Sequence, residues 1–208
     1  MTGAILAGGL ATRFGGIDKA LLEVNGKRIL DRLLDQFQGL FDQILLVTND
    51  PMRYLEWDLW MATDLHRRRS SLTGIHSALF HAACDRVFVS ACDLPYLQRE
   101  TIRTVMAAAE AGVDVALPET AEGIQPLCAV YAKRCRRPVE ALLERGEFRI
   151  RSLFPQVRVV RVPEAKLREA DPDLLSFVNV NSPAELAEAE RLEPPAHGGR
   201  RPPPKRNP

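Results

Sequence analysis

Short runs of apolar residues alternate along the chain with longer stretches in which apolar residues recur every three or four positions. Ala4-Ile5-Leu6-Ala7, Ile44-Leu45-Leu46-Val47, Leu59-Trp60-Met61-Ala62 and Val87-Phe88-Val89-Ser90-Ala91 have the length of strands, and residues 113–117, 127–131 and 157–162 read the same way. Most of these runs are apolar throughout rather than alternating, which suits strands covered on both faces, as in a parallel sheet. Between them, Ile29, Leu30, Leu33, Leu34, Phe37, Leu40 and Phe41 fall at helical spacing, and so do Ile102, Val105, Met106 and Ala109. Leu142 and Leu143 mark a further helix that stops near Gly146. Ser182-Pro183-Ala184-Glu185 predicts the start of the last one, with Ser182 as N-cap, Pro183 at the first helical position and Glu185 completing a capping box. Strands alternating with helices predict one α/β domain, a three-layer α/β/α sandwich on a mostly parallel sheet. Such sheets bind ligands at the carboxyl ends of their strands.

The chain has 208 residues, enough for one sizeable core, with 46% hydrophobic and 26% charged residues. A formal charge of +1 gives no reason to expect nucleic acid or a membrane surface as partner. No stretch approaches the ~20 apolar residues of a membrane span, and the run at residues 4–7 meets Gly8-Gly9 too soon to be a signal peptide. The four cysteines, Cys84, Cys92, Cys128 and Cys135, show no metal or redox spacing and read as free, mostly buried thiols of a cytoplasmic protein. Periodicity stops at the end of the domain, residues 1–193. Residues 194–208 hold six prolines, Arg200, Arg201, Lys205 and Arg206 and no acid, and read as a disordered tail.

The densest chemistry lies at the start. The first strand runs into Leu6-Ala7-Gly8-Gly9-Leu10-Ala11-Thr12-Arg13-Phe14-Gly15-Gly16-Ile17-Asp18-Lys19. Glycines let backbone N–H groups of residues 6–9 approach a polyphosphate with no Cβ in the way. Arg13 offers a planar fork for phosphate oxygens and Lys19 a point charge. The segment is neither a P-loop, which needs Gly-Lys-Ser or Gly-Lys-Thr, nor a dinucleotide fingerprint. Further on, Asp93 follows the strand at residues 87–91 and points into the ligand crevice. It is the candidate ligand for Mg²⁺, which takes one or two carboxylates and completes its shell with phosphates and waters; the alternative is an acid that merely turns the chain before Pro95. Asn49 and Asp64 end two other strands on the same rim; the alternatives are a turn before Pro51 for Asn49 and a surface loop acid for Asp64.

The stretch from Leu6 to Lys19 resembles the L-A-G-G-x-x-x-R-[MF]-G-x-x-K signature of nucleotidyltransferases, and most closely that of the molybdenum cofactor guanylyltransferases, the MobA family. Asp18-Lys19-Ala20-Leu21-Leu22 is similar to that group as well, and the likeness extends over residues 3–192. It implies a Rossmann-like nucleotidyltransferase fold, with Arg13, Lys19 and Asp93 catalytic and Mg²⁺ on Asp93. Leu6, Ala7, Gly8, Gly9, Lys19, Asn49, Asp64 and Asp93 would then bind the nucleotide, with Asp64 accepting hydrogen bonds from guanine N1 and N2. Gln125-Pro126-Leu127-Cys128-Ala129-Val130-Tyr131 also resembles the group, as does Phe177-Val178-Asn179-Val180-Asn181-Ser182-Pro183. Asn179 and Asn181 alternate, so both amides can face one polar acceptor such as a pterin, or simply shape the turn before the helix. One departure stands out: the family's Gly-Pro-Leu-x-Gly after the guanine-reading Asp is here Ser70-Ser71-Leu72-Thr73-Gly74.

The expected reaction joins GMP from GTP to molybdopterin, bare or metal-loaded, and releases pyrophosphate. Molybdoenzyme apoproteins and cofactor-synthesis proteins are the candidate macromolecular partners. The alternatives are a related transferase with another base or acceptor (a cytidylyltransferase of the same cofactor, or a sugar-phosphate nucleotidyltransferase) and a non-catalytic nucleotide-binding adaptor. Gly9 and the Asn179/Asn181 motif argue against the first pair, and Arg13, Lys19 and Asp93 against the adaptor. Arg149, Arg151, Arg158 and Arg161 suit a surface for an anionic acceptor or a solvated strand face. His76 and His81, five apart, fit no zinc pattern.

Overall fold

A computed structural model describes residues 1–8 and 18–192. Gly9, Arg13 and the expected tail at residues 194–208 lie outside the described residues.

Strand β1 (Thr2–Leu6) leads toward the glycine-rich loop. A two-residue hairpin follows, β2 (Glu23–Val24) and β3 (Lys27–Arg28), turned by Asn25 and Gly26 at φ of 50° and 71°. Two successive positive φ values make this the I′ turn that Asn-Gly favours. Then come α1 (Ile29–Phe37), β4 (Gln43–Val47), β5 (Trp60–Ala62), α2 (Ser71–His81), β6 (Arg86–Ala91) and α3 (Arg99–Ala107). The remainder is β7 (Val115–Thr120), β8 (Gly123–Ile124), β9 (Cys128–Ala132), α4 (Arg136–Glu144), β10 (Val159–Pro163), α5 (Glu164–Ala170) and α6 (Pro183–Arg191).

The large sheet runs β10-β7-β9-β6-β1-β4-β5, with β8 paired to β7. β1, β4, β5 and β6 are mutually parallel, as the unbroken apolar runs predict. β9 is antiparallel to both its neighbours. Its run is just as apolar, but only residues 121–127 separate it from β7. A parallel return needs a crossover of a dozen residues or more. Apolar content thus reports that both faces are covered, and the connection length sets the direction.

Alternate residues of each strand feed two cores. Ile5, Leu46, Phe88 and Val130 pack under α1, α3, α5 and α6. Ala4, Leu45, Val87, Val89 and Ala129 pack under α2 and α4. The helical stripes read from sequence are the buried faces of α1 and α3, although α1 ends at Phe37 and leaves Leu40 and Phe41 in the loop beyond. Ser182 caps α6 as expected, accepting from the Glu185 N–H at 3.3 Å. The Glu185 carboxylate, however, takes the N–H of Asn181 at 2.6 Å rather than that of Ser182, so the expected capping box is displaced by one residue. No described helix is long and apolar enough to cross a membrane.

The cysteines are unpaired; Cys92, Cys128 and Cys135 are buried and Cys84 is half-buried. Burial pushes the Cys128 and Cys135 thiols up to about 12. Cys84 is therefore expected to react alone with a thiol reagent on the native protein at pH 8, and all four after denaturation; rapid modification of a second thiol in the native state would contradict this burial.

Gly3 lies beneath Phe37 and Phe41, which pack on Phe88 with centroids 5.8 and 5.7 Å away. A Cβ there would sit 2.5 Å from Phe41 Cδ2 and 2.9 Å from Phe37 Cδ2. Gly3→Ala is expected to destabilise the protein by about 1–3 kcal/mol, and adding Phe41→Leu should return part of that loss. Urea denaturation of the single and double variants measures both terms.

Candidate active site

Three strand ends lie level because of register. Leu6 of β1 is opposite Val47 of β4 on one side and Ala91 of β6 on the other. The chain leaves β1 with the Ala7 N–H on the Val47 carbonyl at 2.8 Å, and leaves β6 with the Cys92 N–H on the Leu6 carbonyl at 3.2 Å. Gly8 follows at φ 147°, a backbone open only to glycine. The segments carrying Gly8, Asn49 and Asp93 therefore start side by side around one open cleft of about 340 Å³. That is the size of a small-ligand site.

One corner of the cleft is charged. The Lys19 ammonium lies 3.2 Å from Asp93 Oδ2 and also donates to Asn181 Oδ1. Both partners of the ion pair are mostly shielded, with 20% and 18% of their side chains exposed. Asp93 Oδ1 is buried and has no hydrogen-bond partner among the described residues. A buried carboxylate oxygen with an unused lone pair is a hard donor turned inward, which fits a divalent cation of the Mg²⁺ type. Among the described residues no three His, Cys, Asp or Glu side chains converge to hold a metal. A cation at this corner would draw its other ligands from phosphates and waters. Burial, and then the Asp93 and Asp18 carboxylates, push the neighbouring Cys92 thiol above its usual range, so it stays protonated.

The opposite corner is a polar pair. Asn49 Nδ2 donates to Asp64 Oδ2 at 2.7 Å, and the Asp64 N–H donates to Asn49 Oδ1 at 3.0 Å. β5 makes this possible: its pairing with β4 brings the Thr48 N–H onto the Ala62 carbonyl at 2.8 Å, so the chain segments beyond both strands run side by side. The amide fixes one carboxylate oxygen of Asp64 and leaves Oδ1 without a bond inside the described chain.

Sequence-predicted Leu6, Ala7, Gly8, Lys19, Asn49, Asp64 and Asp93 thus share one cleft. Asn181 joins it through Lys19. Asn179 does not line it; the segment after the 3₁₀ turn Leu175–Phe177 is no strand, and the Asn179 amide bonds the Phe177 carbonyl at 3.1 Å instead. Of the four arginines weighed for an anionic acceptor, only Arg151 and Arg161 meet at a second depression, and Arg161 is paired with Glu119 at 2.7 Å.

The segment that departs from the family's Gly-Pro-Leu-x-Gly, with Arg69 before it, forms a further wall. Arg69, Ser70, Ser71 and Gly74 line the cleft at the start of α2. Ser70 Oγ accepts from the Thr73 N–H at 3.1 Å, while Thr73 Oγ1 accepts from the Ser70 N–H at 2.9 Å. This is a reciprocal cap with Thr in the place of the usual Glu, a signal readable from Ser-x-x-Thr before an apolar run. It starts the helix at the cleft wall, so that the positive end of the helix dipole lies beside the cleft.

Residues 3–162 match the family model described as the MobA-like NTP transferase domain. A protein of Desulfosudis oleivorans named molybdenum cofactor guanylyltransferase is 43% identical over 190 residues, covering 91% of this chain and 94% of its own. One from Pelotomaculum thermopropionicum, named probable molybdenum cofactor guanylyltransferase, is 36% identical with 96% of both chains covered. Among solved structures, molybdopterin-guanine dinucleotide biosynthesis protein A from Archaeoglobus fulgidus superposes with a TM-score of 0.80 at 29% identity, covering 91% of this chain and 97% of that one. A cytidylyltransferase from Thermus thermophilus, at 17% identity and a TM-score of 0.63, shares the fold. With the family model matched over most of its length and relatives of this identity spanning nearly all of it, the chain belongs to the MobA-like NTP transferase family.

Proposed function

We propose that this chain transfers GMP from GTP to molybdopterin, with or without bound molybdenum, releasing pyrophosphate and forming the guanine dinucleotide cofactor. One observation carries the reading: a single cleft holds a cation-and-carboxylate corner suited to a triphosphate and, across from it, a fixed carboxylate suited to a guanine edge. The names of the relatives, which cover nearly the whole chain, support the same reaction.

The acceptor's terminal phosphate is already a nucleophile near neutral pH, so the protein's task is to position and to neutralise charge. Backbone N–H groups after β1 hold the triphosphate, and Arg13 and Lys19 take up charge on its oxygens. Asp93 would hold Mg²⁺ through its buried Oδ1; when bound, the ion offsets the negative charge of the triphosphate. Lys19 lies within reach of that carboxylate and can pass to the phosphates without leaving the cleft. Asn181, held by Glu185 through its backbone N–H and bonded to Lys19, would offer its amide to the acceptor beside the phosphates.

At the other corner Asp64 accepts from guanine N1–H and N2–H, with Asn49 holding it in place. The Arg69 guanidinium and the Ser71 N–H supply donors on the adjoining wall, of the kind guanine O6 requires. Adenine presents an acceptor at N1 and would leave the carboxylate desolvated and unpaired.

Asp93→Asn keeps the shape of the side chain and removes its charge. Turnover at ordinary Mg²⁺ is expected to fall by about 10²–10³ while the melting transition persists; near-normal turnover would remove Asp93 from the metal site. Asp64→Ala should cut the specificity constant for GTP far more than that for ATP. A GTP/ATP ratio equal to that of the unaltered protein would mean that Asp64 does not read the base.

A further inference from the structure

Tyr54 lies on the 3₁₀ helix Pro51–Trp57, just beyond Asn49, and its side chain is fully buried in the core beneath α1. A phenol at that depth needs a partner. Its hydroxyl donates to Asp18 Oδ2. The other oxygen, Oδ1, accepts the Ala20 N–H at 3.1 Å and so caps the short turn Lys19–Leu21, which closes with the Leu21 N–H on the Asp18 carbonyl at 3.1 Å. Both oxygens of Asp18 are therefore fixed at the point where the chain returns from the glycine-rich loop. The next residue is Lys19, whose ammonium meets Asp93 and Asn181 in the cleft.

We propose that Tyr54 is a positioning residue, which through Asp18 fixes the turn that aims Lys19 into the cleft and so couples the grip on the triphosphate to the wall that carries Asn49. The inference rests on Lys19 binding phosphate, as in the reaction proposed above. A lysine has many rotamers to lose, and its hold on a ligand weakens when its backbone is free to drift. The hydroxyl is a lasting donor: burial, and then the Asp18 carboxylate, push the phenol well above its usual range, so it keeps its proton at any working pH. The bond to Asp18 is charge-assisted, the stronger kind. It also ties the turn after the glycine-rich loop to the segment that follows β4.

Tyr54→Phe removes the hydroxyl and keeps the ring that fills the core. Calorimetric binding of GTP with Mg²⁺, and of GMP, which lacks the β and γ phosphates, reads the effect in four proteins: unaltered, Y54F, K19A and the double variant. Y54F is expected to weaken GTP about tenfold, to leave GMP nearly unchanged and to shift the melting temperature by no more than about 4 °C. In the K19A background it should cost nothing further, because the residue it acts through is gone. Asp18→Asn, which alters the same link from its other end, should reproduce the loss and not add to it. Equal losses in both backgrounds, or equal losses for GTP and GMP, would show Tyr54 to be a packing residue and overturn the proposal while leaving Lys19 in the site. A K19A protein that binds GTP normally would overturn the phosphate role of Lys19 and this proposal with it.

Discussion

The register of β1 between β4 and β6 is the constraint on which the rest depends. With Leu6 level with Val47 and Ala91, the three strands end together, and the turns that follow share one rim. The ladder enforces that alignment because every buried N–H and C=O in it must be paired. A slip of one residue would exchange Ala4 with Ile5, putting the larger side chain under α2 and the smaller under α1. It would also move Gly8 away from Asn49, whose backbone nitrogen is only 3.6 Å from where a Gly8 Cβ would stand. The chemistry of the cleft follows from hydrophobic sorting in the middle of the sheet.

Two carboxylates at that rim are held in opposite ways, and the difference separates their tasks. Asp64 is held by an amide, which fixes its direction and adds no charge. Asp93 faces an ammonium with one oxygen and, among the described residues, no hydrogen-bond partner with the other. Leaving a buried oxygen unpaired costs about 1–3 kcal/mol, more for a charged group. The cost is tolerable where a ligand relieves it, which is why such atoms gather at working sites. Lys19 lowers the charge at this corner in the meantime, tied on its other side to Asn181, whose N–H is in turn held by Glu185 of α6.

What could be read from sequence divides along physical lines. The inner strands β1, β4, β6 and β9 are legible because a strand buried on both faces must be largely apolar, and α1 and α3 because one stripe must be; the edge strands β5 and β10 keep exposed positions at Trp60 and Arg161 and are legible only as short apolar runs. The direction of β9 depends on a connection seven residues long, which the apolar pattern does not encode. β2 and β3 are two residues each, too short for any period, although Asn25-Gly26 marks their turn. In the cleft, Gly8, Lys19 and Asp93 are legible because each stands beside a buried strand or in a loop of unusual composition. The Asn49–Asp64 bond is not, since fifteen residues separate the two and only the β4–β5 pairing brings them together. Tyr54 is hidden for a different reason. Its segment alternates apolar and charged residues like a surface loop, and its one functional contact lies 36 residues back along the chain.

The departure from the family's Gly-Pro-Leu-x-Gly is instructive for where it falls. Leu72 is fully buried against the sheet, and a Cβ on Gly74 would stand 3.1 Å from Leu6, so the two positions that pack are kept. The two that change, Ser70 and Ser71, face the cleft. A proline at the first position of a helix has no N–H to offer, whereas Ser71 retains one and adds a hydroxyl. Ser70 in turn starts α2 by a reciprocal cap with Thr73 that needs neither glycine nor proline. The substitution acts on the chemistry of the wall beside Asp64, which gains donors, and leaves the path of the backbone to be set by Leu72, Gly74 and Leu6.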